Sequence, residues 1–173
     1  MGRRLFAFLL LLAVVDSAVF AGASAEVPVG GNLRDATLHG LNGPSRQLSA
    51  FRGKPLVINV WASWCGPCRE EMASLERLAW LDGKQDFMII GISTDDYADQ
   101  AKGFLKHANA TISQFIDTDL QMESMLGASR LPLTVLVDAD GRVLQKVYGA
   151  RQWDGAEARG LIYDAFRMKP QAK

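Results

Sequence analysis

The chain is short of thiols, imidazoles and net charge. Its 173 residues hold two cysteines and two histidines, and 19 basic residues balance 19 acidic ones to a formal net charge of zero. Two cysteines cannot staple a disulfide-dense scaffold. His39 and His107, far apart in sequence, leave a zinc ion short of its usual four ligands. Without a basic excess there is no sign of a nucleic-acid reader. Repeats and low-complexity tracts are absent too. Hydrophobic residues at 49% and charged residues at 22% exclude a disordered or collagen-like chain. The length is that of one domain.

The first 25 residues are set apart by composition. Arg3 and Arg4 precede an apolar run from Leu5 to Val15, and a softer stretch ends at Ala23-Ser24-Ala25. A basic start, a short apolar run and a small-x-small site are the layout of a secretory signal. The expected cleavage follows Ala25, leaving residues 26–173 as the mature domain. The alternative is a retained membrane anchor, but the run is shorter than the roughly 20 residues a span needs. Extending it would bury Asp16. Either reading places the domain outside the cytoplasm, periplasmic or otherwise exported. The mature chain would have 17 basic and 18 acidic residues, a net charge of −1.

The remaining text alternates strand and helix patterns. Thr37-Leu38 and Gln47-Leu48 flank a turn-rich stretch containing Gly40, Asn42, Gly43 and Pro44, which predicts a small hairpin. Residues 55–61 (PLVINVW) read as a strand covered on both faces. Apolar residues at spacings of three and four (Met72, Leu75, Leu78, Ala79, Leu81) then predict a helix that Pro67 can open and Gly83 can close. A second apolar strand is expected over 87–93 and a helix over 97–107, with Ala101, Phe104 and Leu105 inward. A short edge strand follows at 114–116 and a short helix at 120–126. Strands at 134–137 and 142–148 flank Asp138-Ala139-Asp140-Gly141, a turn that makes them an antiparallel hairpin. A helix over 153–168 closes the chain. This order predicts an α/β fold, with a central mixed sheet and helices on both faces.

Cys65-Gly66-Pro67-Cys68 sits where the first long helix begins. There the unpaired amides and the helix dipole favour an anion, which lowers the pKa of the first thiol. The second cysteine lies one turn on, close enough to close a disulfide. Cys65 is therefore the expected nucleophile toward a partner's disulfide, and Cys68 the resolving thiol that releases the product. Half a metal site and a purely structural disulfide are the alternatives. The first lacks ligands, and the second would remove little chain entropy with so small a loop. The expected cofactor list is empty, the redox-active disulfide aside.

The stretch Asn59-Val60-Trp61-Ala62-Ser63-Trp64-Cys65-Gly66-Pro67-Cys68-Arg69-Glu70-Glu71-Met72 resembles the thioredoxin superfamily, in particular its exported TlpA/ResA/CcmG-like branch. The resemblance runs from about Leu33 to Arg167. The turn-rich lead-in and a helix-plus-strand insert at about 95–117 carry it beyond the WCGPC core. Two positions depart from the pattern. Ala73 stands where the branch usually has proline, and Asn59 stands where cytoplasmic thioredoxins carry an acidic residue. A carboxylate proton relay from position 59 is therefore not available.

The resemblance implies a thioredoxin-like fold with an N-terminal hairpin and that insert. It also implies a cis bond at Pro132 in a loop facing the disulfide. Leu131 would pair with an extended client backbone, and Leu131 and Leu133 would give an apolar, undemanding surface. Trp64 is expected as a partly exposed wall and Trp61 as core packing. Glu70 and Glu71 read as a solvated helix face, although one of them could tune the thiol. Asp95, with Asp96 next, is by position the match to the acidic group that the resemblance implies near Cys68, but both sit just before Tyr97 and read first as caps of the following helix. Asn59 is expected either to hydrogen-bond near the site or to be a satisfied strand asparagine. Met122 and Met125 read as core, and Asn109-Ala110-Thr111 as a chance match to a glycosylation acceptor.

The implied activity is thiol:disulfide exchange, with a Gly-Pro centre favouring the reductant direction. Expected partners are oxidised exported clients, an apocytochrome c thiol pair among them, and a membrane thiol-electron transporter as donor. No nucleic-acid partner is expected, and a monomer is the default state. Two rivals remain. A thiol peroxidase would want threonine three before the reactive cysteine, where Ala62 stands. A non-enzymatic client-binding module could use the same fold.

Overall fold

Residues 26–81 and 86–169 are described by the computed structural model. The expected signal segment 1–25 and Gly83 lie outside them. Among the described residues seven strands form one mixed sheet, in the order β2-β1-β5-β4-β3-β6-β7. The strands are β1 (Thr37–Gly40), β2 (Arg46–Gln47), β3 (Leu56–Trp61), β4 (Met88–Ser93), β5 (Ser113–Ile116), β6 (Leu133–Val137) and β7 (Val143–Tyr148). The helices are α1 (Gly66–Trp80), α2 (Ala98–Ala108), α3 (Gln121–Leu126) and α4 (Ala156–Phe166), with a 3-10 turn at Leu48–Phe51. The sheet is the expected α/β architecture of the thioredoxin-like fold.

Central strand β3 shows why the sheet needs cover on two sides. Every residue of it is buried, and successive side chains point to opposite faces. Leu56, Ile58 and Val60 join α3 (Met122, Met125, Leu126) and the N-terminal segment (Val27, Leu33, Phe51) in one core. Val57 packs with α1 and α4 through Leu75, Leu78, Ala158 and Ile162. Trp61 packs with Cys65, Cys68, Met72 and the α2 residues Ala101 and Leu105. Asn59 lies between Val57 and Trp61 and so faces α1. β3 pairs in parallel with β4 and antiparallel with β6, and β4 pairs in parallel with β5.

Both expected hairpins are present, β1–β2 and β6–β7. Gly141 takes φ +89° in the second turn, where Asp138 accepts from the N–H groups of Asp140 and Arg142. Three expectations need correction. β5 is not an edge strand, because β1 covers its free side with the pairs His39–Ile116 and Gly40–Phe115. The last helix starts at Ala156 rather than at Trp153, and Trp153 is a buried residue of the preceding turn. α2 is not capped by Asp95 or Asp96. Its N-cap is Tyr97, without a side-chain cap, and Asn109 closes it at φ 50°. Met122 and Met125 are core, as expected. No helix of the described residues is long and apolar enough to cross a membrane.

Candidate active site

The two cysteines sit at the junction of β3 and α1. Cys65 is the N-cap of α1 in extended backbone, and its Sγ accepts from the Cys68 N–H at 3.3 Å. Pro67 falls in the first turn, where its missing N–H leaves no hydrogen bond unmade. Cys65 and Cys68 are disulfide-bonded, with Cα atoms 5.3 Å apart. Cys68 is 1% exposed and Cys65 5%, so Cys65 is the more exposed residue of the two. Trp64 beside it is 70% exposed, an open wall, whereas Trp61 is fully buried. Trp61 gives its indole N–H to Gln114 Oε1 on β5 at 2.9 Å.

The bond from Leu131 to Pro132 is cis. Leu131 is half-buried and packs against the cluster that holds both cysteines, which brings this loop to the disulfide. Leu133 is fully buried in the core below. It offers no surface to a client, contrary to the expectation, because β6 has already begun there and its side chain points inward.

Two buried carboxyls lie on the segments that hold the pair. Asp95, just after β4, accepts from Ser63 N–H (2.9 and 3.2 Å), Ser63 Oγ (2.7 Å) and Ser93 Oγ (2.6 Å). It thereby ties the turn before Cys65 to β4. Glu71 is the second, and it corrects the reading of a solvated face. Glu70 is exposed, but Glu71 is 1% exposed. Glu71 Oε1 accepts from Asn59 Nδ2 at 2.7 Å, and Oε2 accepts from Arg151 N–H at 3.1 Å and Trp153 Nε1–H at 3.0 Å. Burial pushes this carboxyl above its ordinary value, and the bonds from Trp153, Asn59 and Arg151 pull partly against that. Three residues after Cys68 on α1, Glu71 is its neighbour on one helix face.

The β7–α4 loop closes over Glu71. Ser74 Oγ shares its one proton between the carbonyls of Glu71 (2.7 Å) and Arg151 (3.2 Å) and accepts the Trp153 N–H, so loop and helix are laced together. Ser74, Arg151 and Trp153 were not legible as site residues, whereas Glu71 was one of two glutamates that could tune the thiol, and its i, i+3 spacing from Cys68 is the signal that separates it from Glu70. Among the described residues no group of three or more His, Cys, Asp or Glu could hold a metal ion.

A dithiol/disulfide at a helix start, beside a cis-proline loop in a mixed sheet with helices on both faces, defines a thioredoxin-like thiol-disulfide oxidoreductase. The Redoxin family profile matches residues 28–162. The chain is 30% identical to thiol-disulfide oxidoreductase ResA of Geobacillus thermodenitrificans, over 84% of this chain and 86% of that protein. It is 32% identical to thiol:disulfide interchange protein DsbE of Vibrio cholerae, over 98% of this chain and 95% of that one. A Chlorobium tepidum protein assigned as a DsbE thiol:disulfide interchange protein superposes with a TM-score of 0.73 at 26% identity, over 80% of this chain and 98% of that chain. The chain belongs to the Redoxin family, as a TlpA/ResA/CcmG-like member of the thioredoxin superfamily, and its activity is thiol-disulfide exchange.

Proposed function

We propose that the protein is an exported reductant of protein disulfides, cycling between a Cys65/Cys68 dithiol and the disulfide. The observation that carries this reading is the Cys65–Cys68 bond at the first turn of α1, with Cys65 capping the helix and being the more exposed residue of the two. In the forward direction the Cys65 thiolate attacks one sulfur of a client disulfide. The client S–S bond breaks, a mixed disulfide forms, and the second client sulfur leaves as a thiolate and takes a proton. Cys68 then gives its proton to Glu71 and attacks Cys65 Sγ. The mixed disulfide breaks, the first client sulfur leaves reduced, and the Cys65–Cys68 disulfide remains. Two electrons have passed from the dithiol to the client.

Asp95 holds the turn that presents Cys65, Leu131 offers its backbone to the client, and Trp64 forms the rim. The client class is oxidised exported proteins, with the disulfide form of an apocytochrome c thiol pair as the specific substrate. A membrane thiol-electron transporter recharges the pair. The residues between the cysteines, Gly66 and Pro67, support the reducing direction. Thioredoxin has the same pair at about −270 mV, against about −120 mV for the oxidant DsbA. Equilibration with glutathione buffers tests the direction. A potential below about −200 mV is expected, and one near about −120 mV would overturn it. Ala62, buried three residues before Cys65, offers no hydroxyl to a peroxide, which favours exchange over a peroxidase.

A further inference from the structure

Asn59 is an unfavourable residue for its place. It is 1% exposed in the middle of a strand that is otherwise wholly apolar (LVINVW). Its Nδ2 donates to Glu71 Oε1 at 2.7 Å and to Thr134 Oγ1 at 3.1 Å. Its Oδ1 is buried and finds no hydrogen-bond partner among the described residues. A buried acceptor left unpaired is destabilising, so something must hold the amide this way round. Turning it over would offer Oδ1 to the Thr134 hydroxyl, which can donate as readily as accept. It would also set Oδ1 against Glu71 Oε1, two acceptors in contact. The observed orientation is the one that a proton-free Glu71 demands.

The other two contacts to the carboxyl, Arg151 N–H and Trp153 Nε1–H, are donors that cannot accept. All three groups around the carboxyl thus favour the form without a proton. The titratable or charged side chains beside it are Cys68, one turn earlier on α1, and Arg151, whose guanidinium is turned to Glu157 on α4 at 3.1 Å. β3 and β6 carry no charged residue in sequence (LVINVW and LTVLV).

We propose that Asn59 is a positioning residue, which leaves its own oxygen unpaired in order to keep Glu71 open as a proton acceptor for the thiol one turn before it. This rests on the exchange cycle above, in which Cys68 passes its proton to Glu71. Asn59 touches neither client nor sulfur in that cycle and acts through Glu71.

Infrared titration of the oxidised protein reads the Glu71 carboxyl directly, because the thiols are then locked in the disulfide. The band is identified as the one lost in Glu71→Gln. In Asn59→Ala its midpoint should rise by about one to two pH units, the equivalent of one charge-assisted hydrogen bond. Asn59→Asp keeps the size but exchanges the donor for a second carboxyl, and should raise the midpoint further. Thr134→Val leaves the Asn59–Glu71 bond in place and should move it less than Asn59→Ala does. Reduced Asn59→Ala should also show the pH profile of its exchange rate displaced upward. A Glu71 midpoint unchanged in both Asn59 variants would overturn the proposal, and if one variant does not fold the other decides it. The titration needs no exchange activity, so even a protein that failed to exchange disulfides would show whether Asn59 governs the Glu71 proton.

Discussion

At the level of single side chains, the consequence of burying Glu71 is a pH dependence with a definite sign. The folded protein holds its proton more tightly than the unfolded chain, because burial raises the carboxyl above its ordinary value. Its contribution to stability is therefore fully present below the unfolded value and is lost as pH rises through the raised one. Urea unfolding of wild type and Glu71→Gln across the acid-to-neutral range should show wild type losing ground to the variant as pH rises. The opposite slope would contradict the burial argument. For activity, Glu71→Gln should slow resolution of the mixed disulfide by about 10²-fold at neutral pH, the lower end of general-base effects. Stopped-flow release of the client sulfur held in the mixed disulfide measures it. The cysteines, Trp64 and Trp61 could be placed from sequence because their neighbours in the chain define their surroundings. Glu71 could be read only as one of two glutamates able to tune the thiol, not as buried. Two of its three contacts come from Arg151 and Trp153, 80 and 82 residues away, and nothing near Glu71 in sequence announces a loop that will cover it.

At the level of elements, the site is held by cross-ties rather than by α1 alone. Asp95 joins the β3–α1 turn to the end of β4. Asp95→Ala would leave the Ser63 N–H and two serine hydroxyls without their acceptor, an expected loss of about 3 kcal/mol by chemical denaturation. A second tie runs through Gln114 on β5, which takes the Trp61 indole proton and turns its Nε2 to Met72 Sδ at 3.7 Å. Gly91 on β4 makes room for it, since a Cβ there would overlap the Gln114 side-chain amide. Gly91→Ala should therefore destabilise by about 1–3 kcal/mol. Gln114→Ala in the same chain should recover part of the packing strain, a coupling that a double-mutant cycle reads. The strands and helices around these ties were largely visible as apolar runs and three-to-four spacings. β5 reads as an edge strand from sequence because its partner β1 lies in a turn-rich stretch more than 70 residues earlier, with His39 opposite Ile116 and Gly40 opposite Phe115, and nothing in either segment specifies the pairing. Trp153 was drawn into the last helix because its apolar character continues that pattern, whereas in the structure it covers Glu71.

At the level of the whole molecule, the mixed sheet puts one core beneath α3 and the N-terminal segment and the other beneath α1, α2 and α4. The redox pair crowns the second face, so α1 is both a packing element and the carrier of the chemistry. Val27 N–H bonds to Met125 O, and Glu26 pairs with Lys146 at 2.5 Å, so the chain is already fixed to the domain at residue 26. Export with cleavage after Ala25 would leave that fixed segment as the mature N-terminus. Intact-mass measurement of secreted protein should return a chain starting at Glu26, and a mass that includes residues 1–25 would show that the leader is kept.

The most direct test of the exchange cycle is the stoichiometry of reaction with 5,5′-dithiobis(2-nitrobenzoate) in the reduced protein, followed by mass spectrometry. Wild type should release two thionitrobenzoates and end as the Cys65–Cys68 disulfide with no adduct. Cys68→Ser should release one and keep a stable adduct on Cys65, and Cys65→Ser should react far more slowly. Wild type holding adducts on both sulfurs, or Cys65→Ser reacting as fast as Cys68→Ser, would contradict the assignment of Cys65 as the attacking thiol and Cys68 as the one that releases the client.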